Sequence, residues 1–526
     1  MPSPLYIENI LWERWPIPTD PACNWRKEFI ERIQVDMFVE HTLQDIISNE
    51  ETQCAKIVLL ADEYRTKALD ILTSIYNNKA ESSITERYYA GRIIHRIKKR
   101  LADDFWRTQP RLGAGSNGPP PTAPTYVGMA VLANAIDPVN DMDVHNQIMS
   151  LTKQFQEGYL NTPTVNEFEK VQRLVQFLHL EKGFGAADIY YDIQNSLIHS
   201  VLRHRRGIPL SLAVVFQAIA HATNILGVDI MSFPGHVVVR HTEPITERQM
   251  YIDLFQSVKN LKARDDITIE NIEDAYKKCI FTQEQCENQL ILRYGVAVRI
   301  NAGPGMTPNE IYARCMRNIM NADGNTQIRG RDDYIRLNLM LTRYSTSLQM
   351  ALSYPPSRLQ LEDFCIKIAI QYHPEDIDLL SPWVSRAHRL NELLSSSEKK
   401  KLKRKPRIYD HAAEHHVWPV GTIIVKGSNG PCGVVIGWEL HYDTDFDQPT
   451  TLHKIFLEST QVETLDFRPS LCDIRRNMEV AEQFCNNLSI GQYFSHFDIY
   501  QLRFVPNDIL KVSYPADYTA SPISGI

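Results

Sequence analysis

The segment from Asn195 to Phe255 constrains the fold most strongly, because it keeps the layout of a thiol enzyme but contains no thiol. An Arg-Arg-Gly-Ile-Pro turn opens an apolar helix, and two short β-patterned runs follow it. The first run carries His236 and the second carries Asp253. A cysteine at the helix start would complete a Cys/His/Asp constellation, yet no cysteine lies between Cys54 and Cys279. The pattern therefore indicates an enzyme scaffold reused for another purpose.

The side chains at the start of this helix determine which catalytic mechanisms are possible. Gly207 permits a sharp turn, and Pro209 suits the first helical position because no N–H is needed there. A thiol at such a place would have its pKa lowered by the helix dipole. Here the hydroxyl of Ser211 would instead need His236 as general base and Asp253 to orient the imidazole. The interpretation we favour is a His–Asp hydrogen bond that joins two strands, with no catalytic residue.

Composition narrows the class of protein. The 526 residues predict three or four domains, and no apolar run approaches the ~18 to 20 residues of a membrane span. The nine cysteines are scattered without a CxxC pair, which favours a reducing compartment over disulfides or a cysteine zinc site. We expect a cytoplasmic or nuclear protein with no cofactor and no metal. The histidines at 411, 415 and 416 are interpreted as linker residues rather than ligands.

The predicted fold class is multidomain α+β. The expected segments are a helical region (1–108), a Pro/Gly linker (109–125), a mostly helical domain with a small sheet near Ile230 to Phe255 (126–300), a helical extension (301–394), a basic linker (395–410) and a small antiparallel β-barrel (411–526). The barrel is predicted from β-branched runs around an Asn429-Gly430 turn.

Two helices of the first region show helical periodicity. In the first, apolar residues recur at Phe29, Ile33, Met37 and Val39. The second opens with a capping-box pattern from Ser83 to Glu86. Its basic residues, which we interpret as a solvated face rather than a site for an acidic partner, are Arg92, Arg96, Lys98, Lys99 and Arg100.

The central segment resembles the SirB-type transglutaminase-like family. The shared motifs are Arg205 to Leu212, Phe233-Pro234-Gly235-His236 and Tyr251-Ile252-Asp253. The resemblance implies a papain-like or transglutaminase-like core, which in this family often lacks the nucleophile. Binding residues are then expected in the first motif, at Arg205, Arg206, Gly207 and Pro209.

The C-terminal region resembles the YccV-like domain, labelled hemimethylated-DNA-binding in bacterial relatives. The resemblance rests on Val420-Gly421, Gly433 to Trp438, Gly491 to Phe494 and Tyr514-Pro515, and it makes Trp438 and Tyr493 candidate binding residues. From 411 to 526 the chain has seven basic and fourteen acidic residues. Because duplex binding draws most of its affinity from neutralised phosphates, DNA is a possible partner that we do not favour. We favour protein binding.

The N-terminus resembles the segment that follows an F-box. The residues concerned are Trp12 to Pro16 and then Asn24-Trp25, but only eleven residues precede Trp12, so the F-box itself is largely missing. The order of the three parts is similar to that of F-box proteins, which are substrate-recognition subunits of Skp1–cullin–F-box ubiquitin ligases. This resemblance implies protein substrates, Skp1 and a cullin as partners. No membrane partner is expected, because no apolar run is long enough to span one.

The predicted function is therefore that of a non-catalytic substrate-recognition adaptor in ubiquitin-dependent protein degradation. One alternative is a DNA-binding or chromatin-associated protein that works through the YccV-like domain. The other is a weak serine-dependent amidase or acyltransferase that uses Ser211, His236 and Asp253.

Overall fold

The structure is a computed structural model that describes most of the chain. The described residues are 24–109, 123–138, 143–160, 166–233, 235–255, 279–294, 300, 303–322, 333–353, 358–380, 417–425, 431–441, 450–457, 462–465, 470–471, 474–515 and 517. The Trp12 to Pro16 motif, the basic linker, the histidines at 411, 415 and 416 and the Asn429-Gly430 turn lie outside them. No helix within these ranges has both the length and the apolar character needed to cross a membrane.

The chain is mixed α and β, as predicted. Its α-helices are α1 Trp25–Ser48, α2 Gln53–Leu59, α3 Leu69–Asn77, α4 Ile84–Thr108, α5 Thr125–Ile136, α6 Val144–Tyr159, α7 Glu167–Gln176, α8 Ile198–His204, α9 Pro209–Ala222, α10 Gln283–Tyr294, α11 Pro308–Ala322, α12 Asp333–Ser353, α13 Arg358–Tyr372, α14 Ile377–Leu380, α15 Ile474–Asn486 and α16 Asp508–Ser513. Its strands are β1 Gly185–Ala186, β2 Arg206–Gly207, β3 Val228–Phe233, β4 His236–Thr242, β5 Gln249–Ile252, β6 Ile280–Phe281, β7 Ile423–Val425, β8 Cys432–His441, β9 Thr450–Leu457, β10 Val462–Leu465, β11 Ser470–Leu471, β12 Phe494–Asp498 and β13 Arg503–Pro506.

The described chain divides into two compact units. The first comprises the described residues within Leu101–Ile328 and Ser345–Leu361, and the second comprises those within Arg14–Arg100, Arg329–Tyr344 and Glu362–Ile526. The helical core of the first unit therefore includes α11, which the sequence pattern assigned to a separate extension. Close packing explains one glycine in this core: a Cβ on Gly128 would lie 2.3 Å from the ring of Tyr312.

The small sheet predicted near Ile230 to Phe255 is present in the first unit. Strands β3, β4, β5 and β6 pair antiparallel in that order. One register row joins Ile230, Val239, Ile252 and Ile280 across the sheet. This face contributes to the main hydrophobic core, and α9 packs on β3 and β4. The opposite face is covered by apolar residues of α10, so apolar side chains are buried on both faces of the sheet.

Helix α4 in the second unit begins as the sequence predicts. The backbone N–H of Ser83 donates to Glu86 Oε2 at 2.7 Å, and the N–H of Glu86 donates to Ser83 Oγ at 3.1 Å. This is the reciprocal pair of a capping box, and it satisfies two N–H groups that the first helical turn leaves without intrahelical partners.

The basic residues of α4 are not a solvated face, so that prediction is wrong. Arg96 and Lys99 are each only 1% exposed. Lys99 Nζ lies 2.5 Å from Asp376 Oδ2, and Tyr344 donates to the same oxygen at 2.9 Å. Arg92 pairs with the buried carboxylate of Glu375. The basic side chains and the carboxylates can both be buried here because the attraction within each ion pair offsets the loss of hydration of its two charged groups.

The apolar stripe predicted on α1 is also placed differently. Phe29 and Met37 are 65% and 64% exposed, and Ile33 is exposed as well. The buried face consists of Val35, Val39, Thr42, Leu43, Ile46 and Ile47. Of the four residues in the predicted stripe Val39 alone is buried, and periodicity does not by itself indicate which apolar residues of the helix meet the core.

The C-terminal strands of the second unit form an antiparallel sheet in the order β10, β9, β8, β7, β11, beside a hairpin of β12 and β13. Ile423 pairs with Val434 across the hairpin predicted from sequence. Trp438, Phe484, Phe494 and Phe504 lie in the common core. Among the described strands the sheet does not close into a barrel, so the YccV-like barrel and its DNA binding remain predictions.

The buried ion pairs give a stability prediction. Lys99→Met should lower the free energy of unfolding by about 3–5 kcal/mol, because it removes the closest cation from the buried carboxylate of Asp376, where Arg96 lies further away at 3.9 Å. Urea unfolding followed by circular dichroism measures the change. Lys67→Met, which breaks an exposed pair with Glu31 in the same unit, should have little effect. Equal effects of the two variants would contradict the buried cluster.

Candidate functional site

The Arg-Arg-Gly-Ile-Pro turn has a structural task in the first unit. Arg205 ends α8 with φ at +57°, a left-handed conformation that turns the chain sharply. Arg206 and Gly207 form β2, which pairs parallel with β1. The Arg205 guanidinium donates to the carbonyl of Lys182, and Arg206 Nη1 donates to the carbonyl of Gly183 at 2.6 Å. Both arginines therefore hold the preceding loop.

Helix α9 begins at Pro209, as predicted, and its first turn is occupied by hydrogen bonds. Ser211 is fully buried, and its hydroxyl donates to the carbonyl of Asn195 at 3.0 Å. The N–H of Ile208 donates to the same carbonyl at 3.2 Å. Since the Ser211 proton is held by a backbone carbonyl, the structure does not show the serine-to-imidazole contact that acyl transfer needs.

His236 and Asp253 do meet. Nε2 of His236 lies 3.0 Å from Oδ2 of Asp253, and both side chains are almost completely buried. The other carboxylate oxygen accepts from the N–H of Phe255 at 3.1 Å. The contact links the first residue of β4 to the residue that follows β5.

Two further groups lie near this pair, and sequence reasoning missed both. His179 is buried, its Nδ1 lies 2.7 Å from the carbonyl of Phe184, and burial lowers its pKa to about 4 despite the nearby charge of Asp253. It is therefore neutral at pH 7. Cys279 accepts a backbone hydrogen bond from Asp253 at 2.9 Å. Neither residue belongs to a recognisable motif, and Cys279 lies far along the chain from the helix where a thiol was sought.

Cys279 does not supply the missing nucleophile. Its side chain is 1% exposed, and burial, with a smaller contribution from the Asp253 charge, raises the pKa of the thiol well above its usual value. A thiol is nucleophilic only as the thiolate. The arrangement therefore places a protonated thiol, a neutral imidazole and a His–Asp pair close together without an activated nucleophile among the described residues.

The two candidate binding residues of the second unit, Trp438 and Tyr493, make structural contacts within that unit. Trp438 is 2% exposed, and its indole N–H donates to Asp517 at 3.0 Å. Tyr493 packs against Phe456, with ring centroids 5.6 Å apart. Within the ranges that the structure covers, no group of three or more His, Cys, Asp or Glu side chains is arranged to hold a metal ion.

Comparison with known proteins agrees with this geometry. Residues 142–293 match the family profile of the transglutaminase-like superfamily. F-box only protein 21 from Mus musculus is 21% identical over 578 residues, which cover 96% of this chain and 84% of that protein. The chain is thus similar in type to F-box only protein 21. The Homo sapiens protein of that name matches equally well.

A shorter match comes from bacteria. A UPF0162 protein from Xylella fastidiosa is 34% identical over 97 residues, 18% of this chain and 34% of that protein. No solved structure matches the chain significantly. The similarity to F-box only protein 21 therefore extends over almost the full chain, whereas the bacterial match is confined to a part of it.

The buried thiol gives a reactivity prediction. In the native protein, Cys279 should react with N-ethylmaleimide at pH 7.5 much more slowly than the partly exposed Cys54, because it is buried and protonated. Timed labelling followed by peptide mass spectrometry measures both rates. In urea the two should react alike. Rapid native labelling of Cys279 would instead show an accessible thiolate beside the His–Asp pair.

Proposed function

We propose that this chain is a non-catalytic substrate-recognition adaptor in ubiquitin-dependent protein degradation, acting in the cytoplasm or nucleus. The observation that carries the proposal is the 21% identity to F-box only protein 21 over 96% of the chain. Protein substrates bind to it, and Skp1 and a cullin connect it to the ubiquitin-transfer machinery. Conjugation itself is performed by those other subunits.

The geometry of the transglutaminase-like domain supports the non-catalytic part of this proposal. A hydrolase or acyltransferase of this type needs a nucleophile in contact with a general base. Ser211 donates its proton to a backbone carbonyl, and Cys279 is buried and protonated. His236 and Asp253 therefore serve to hold the β4–β5 region rigid, which is what a binding body requires.

The candidate binding motif fits a supporting role in recognition. Arg205 and Arg206 hold the loop at 182–183 through its carbonyls, and Gly207 and Pro209 fix where α9 begins. These residues keep the neighbouring surface in one conformation, so less entropy is lost when a partner binds. Trp438 and Tyr493 have the same supporting role in the second unit.

The adaptor proposal is tested by capture and reconstitution. The tagged full chain is expressed in cells treated with a proteasome inhibitor, and its partners are identified by mass spectrometry. We expect Skp1, a cullin and ubiquitin-modified proteins to be retained. In reconstituted reactions, conjugates should form only when the cullin subunits and a ubiquitin-conjugating enzyme are added to the purified chain.

The control is an unrelated protein with the same tag, carried through the same capture. Failure to retain either ligase subunit above this control would exclude the adaptor role. Amide hydrolysis or acyl transfer by the purified chain alone, lost in Ser211→Ala, would show instead that the domain is an enzyme.

A further inference from the structure

Arg314 of α11 lies over the hairpin that carries His236. Its guanidinium donates to Ser232 Oγ, to the carbonyl of Phe233 at 3.2 Å and to the carbonyl of His236 at 3.1 Å. Three neutral acceptors therefore hold the cation in one orientation at the edge of the β3–β4 turn. An arginine fixed in this way is pre-organised, because its planar group has already lost most of its rotational freedom.

The positive charge of Arg314 is not neutralised by a carboxylate in the part of the chain that the structure describes. All three of its acceptors are neutral. Glu310, one helical turn earlier, is already engaged, since its Oε2 accepts from the N–H of Thr307 at 2.7 Å and from its hydroxyl at 2.9 Å. Arg317, one turn later, adds a second positive charge.

Half-burial makes this cation a good partner for an anion. Burial lowers the pKa of Arg314, and the nearby charge of Arg317 lowers it further. A guanidinium carries five N–H donors, of which the three hydrogen bonds above use three. An incoming carboxylate would restore the favourable electrostatics that burial removes, through charge-assisted hydrogen bonds that are stronger than neutral ones.

Tyr190 connects Arg314 to an aromatic and apolar stretch of the chain. Tyr190, whose hydroxyl interacts electrostatically with Arg314, packs edge-on against Phe255 at 5.8 Å between ring centroids. Its chain neighbours Ile189 and Tyr191 are 65% and 39% exposed. Large apolar side chains at the surface beside an orienting charge are the usual composition of a recognition site for a peptide.

We propose that Arg314, assisted by Arg317, binds a carboxylate of a substrate peptide, and that Ile189 and Tyr191 receive an adjacent apolar side chain. The inference deepens the proposed adaptor function by naming the chemistry of the substrate: an acidic residue, or a C-terminal carboxylate, next to an apolar residue. His236 has no catalytic role in this proposal. Its contact with Asp253 stabilises the hairpin.

The test measures peptide binding by the purified full chain. The probes are fluorescein-labelled dodecapeptide pools with a central glutamate-leucine pair, with glutamine-leucine in its place, or with glutamine-leucine and a free C-terminal leucine; the first two are C-terminally amidated. Fluorescence anisotropy should show about tenfold tighter binding of one carboxylate-bearing pool over the amidated glutamine pool, falling with added salt. Whichever carboxylate-bearing pool binds identifies the source of the carboxylate.

Substitutions assign the effect to the site. Arg314→Gln should abolish the preference for the carboxylate, and Arg317→Gln, which leaves the hairpin contacts intact, should reduce it about threefold. Lys153→Gln, at an exposed position of α6, should leave it unchanged. If Arg314→Gln proves unfolded by circular dichroism, the comparison of Arg317→Gln with Lys153→Gln decides.

Equal binding of all three pools, or equal behaviour of Arg317→Gln and Lys153→Gln, would overturn the carboxylate site. Neither result bears on the capture of ligase subunits, which the peptide assay does not contain. Conversely, a chain that binds the carboxylate pool as expected but retains no Skp1 or cullin keeps this site and loses the adaptor role.

Discussion

The contact between His236 and Asp253 is the constraint around which the transglutaminase-like unit is organised. An imidazole and a carboxylate are held 3.0 Å apart with almost no access to water. Either group alone at that depth would be strongly unfavourable, and together they offset each other's loss of hydration. The contact also fixes the turn after β5, because the second carboxylate oxygen accepts from the N–H of Phe255.

The same region has the layout of an enzyme-like scaffold, but among the described residues no nucleophile contacts the imidazole of His236. Helix α9 still begins beside the sheet, and its N-terminus still has the dipole that would activate a thiol. Its first turn instead holds Pro209 and a serine whose hydroxyl donates to the carbonyl of Asn195. The cysteine that does approach the pair, Cys279, is buried and protonated. In the same unit, Arg314 is held over the β3–β4 hairpin by three neutral acceptors.

Local patterns predicted local structure well. The capping box at Ser83 and Glu86, the start of α9 at Pro209 and the sheet near Ile230 were all readable, because each depends on neighbours in the sequence or on strand periodicity. The sequence also predicts the contact between His236 and Asp253, because the two residues lie in neighbouring strand patterns.

Contacts between residues that are far apart in the sequence could not be predicted in this way. The sequence predicts a solvated face for the basic residues of α4, because their carboxylates, Glu375 and Asp376, lie more than 270 residues further on. Cys279 and Arg314 were overlooked for the same reason, since tertiary contacts alone bring them to the His–Asp region. On α1, the residues of the one predicted stripe separate, because packing buries Val39 and leaves Phe29 exposed.

The most direct test of this account is a double-mutant cycle on the His–Asp contact, measured by urea unfolding of His236→Ala, Asp253→Ala and the double variant. If the pair is a structural tie, each single substitution should destabilise the first unit, and the coupling free energy should be about 1–3 kcal/mol. A coupling near zero, with both single variants as stable as the parent chain, would contradict the structural role on which the non-catalytic account depends.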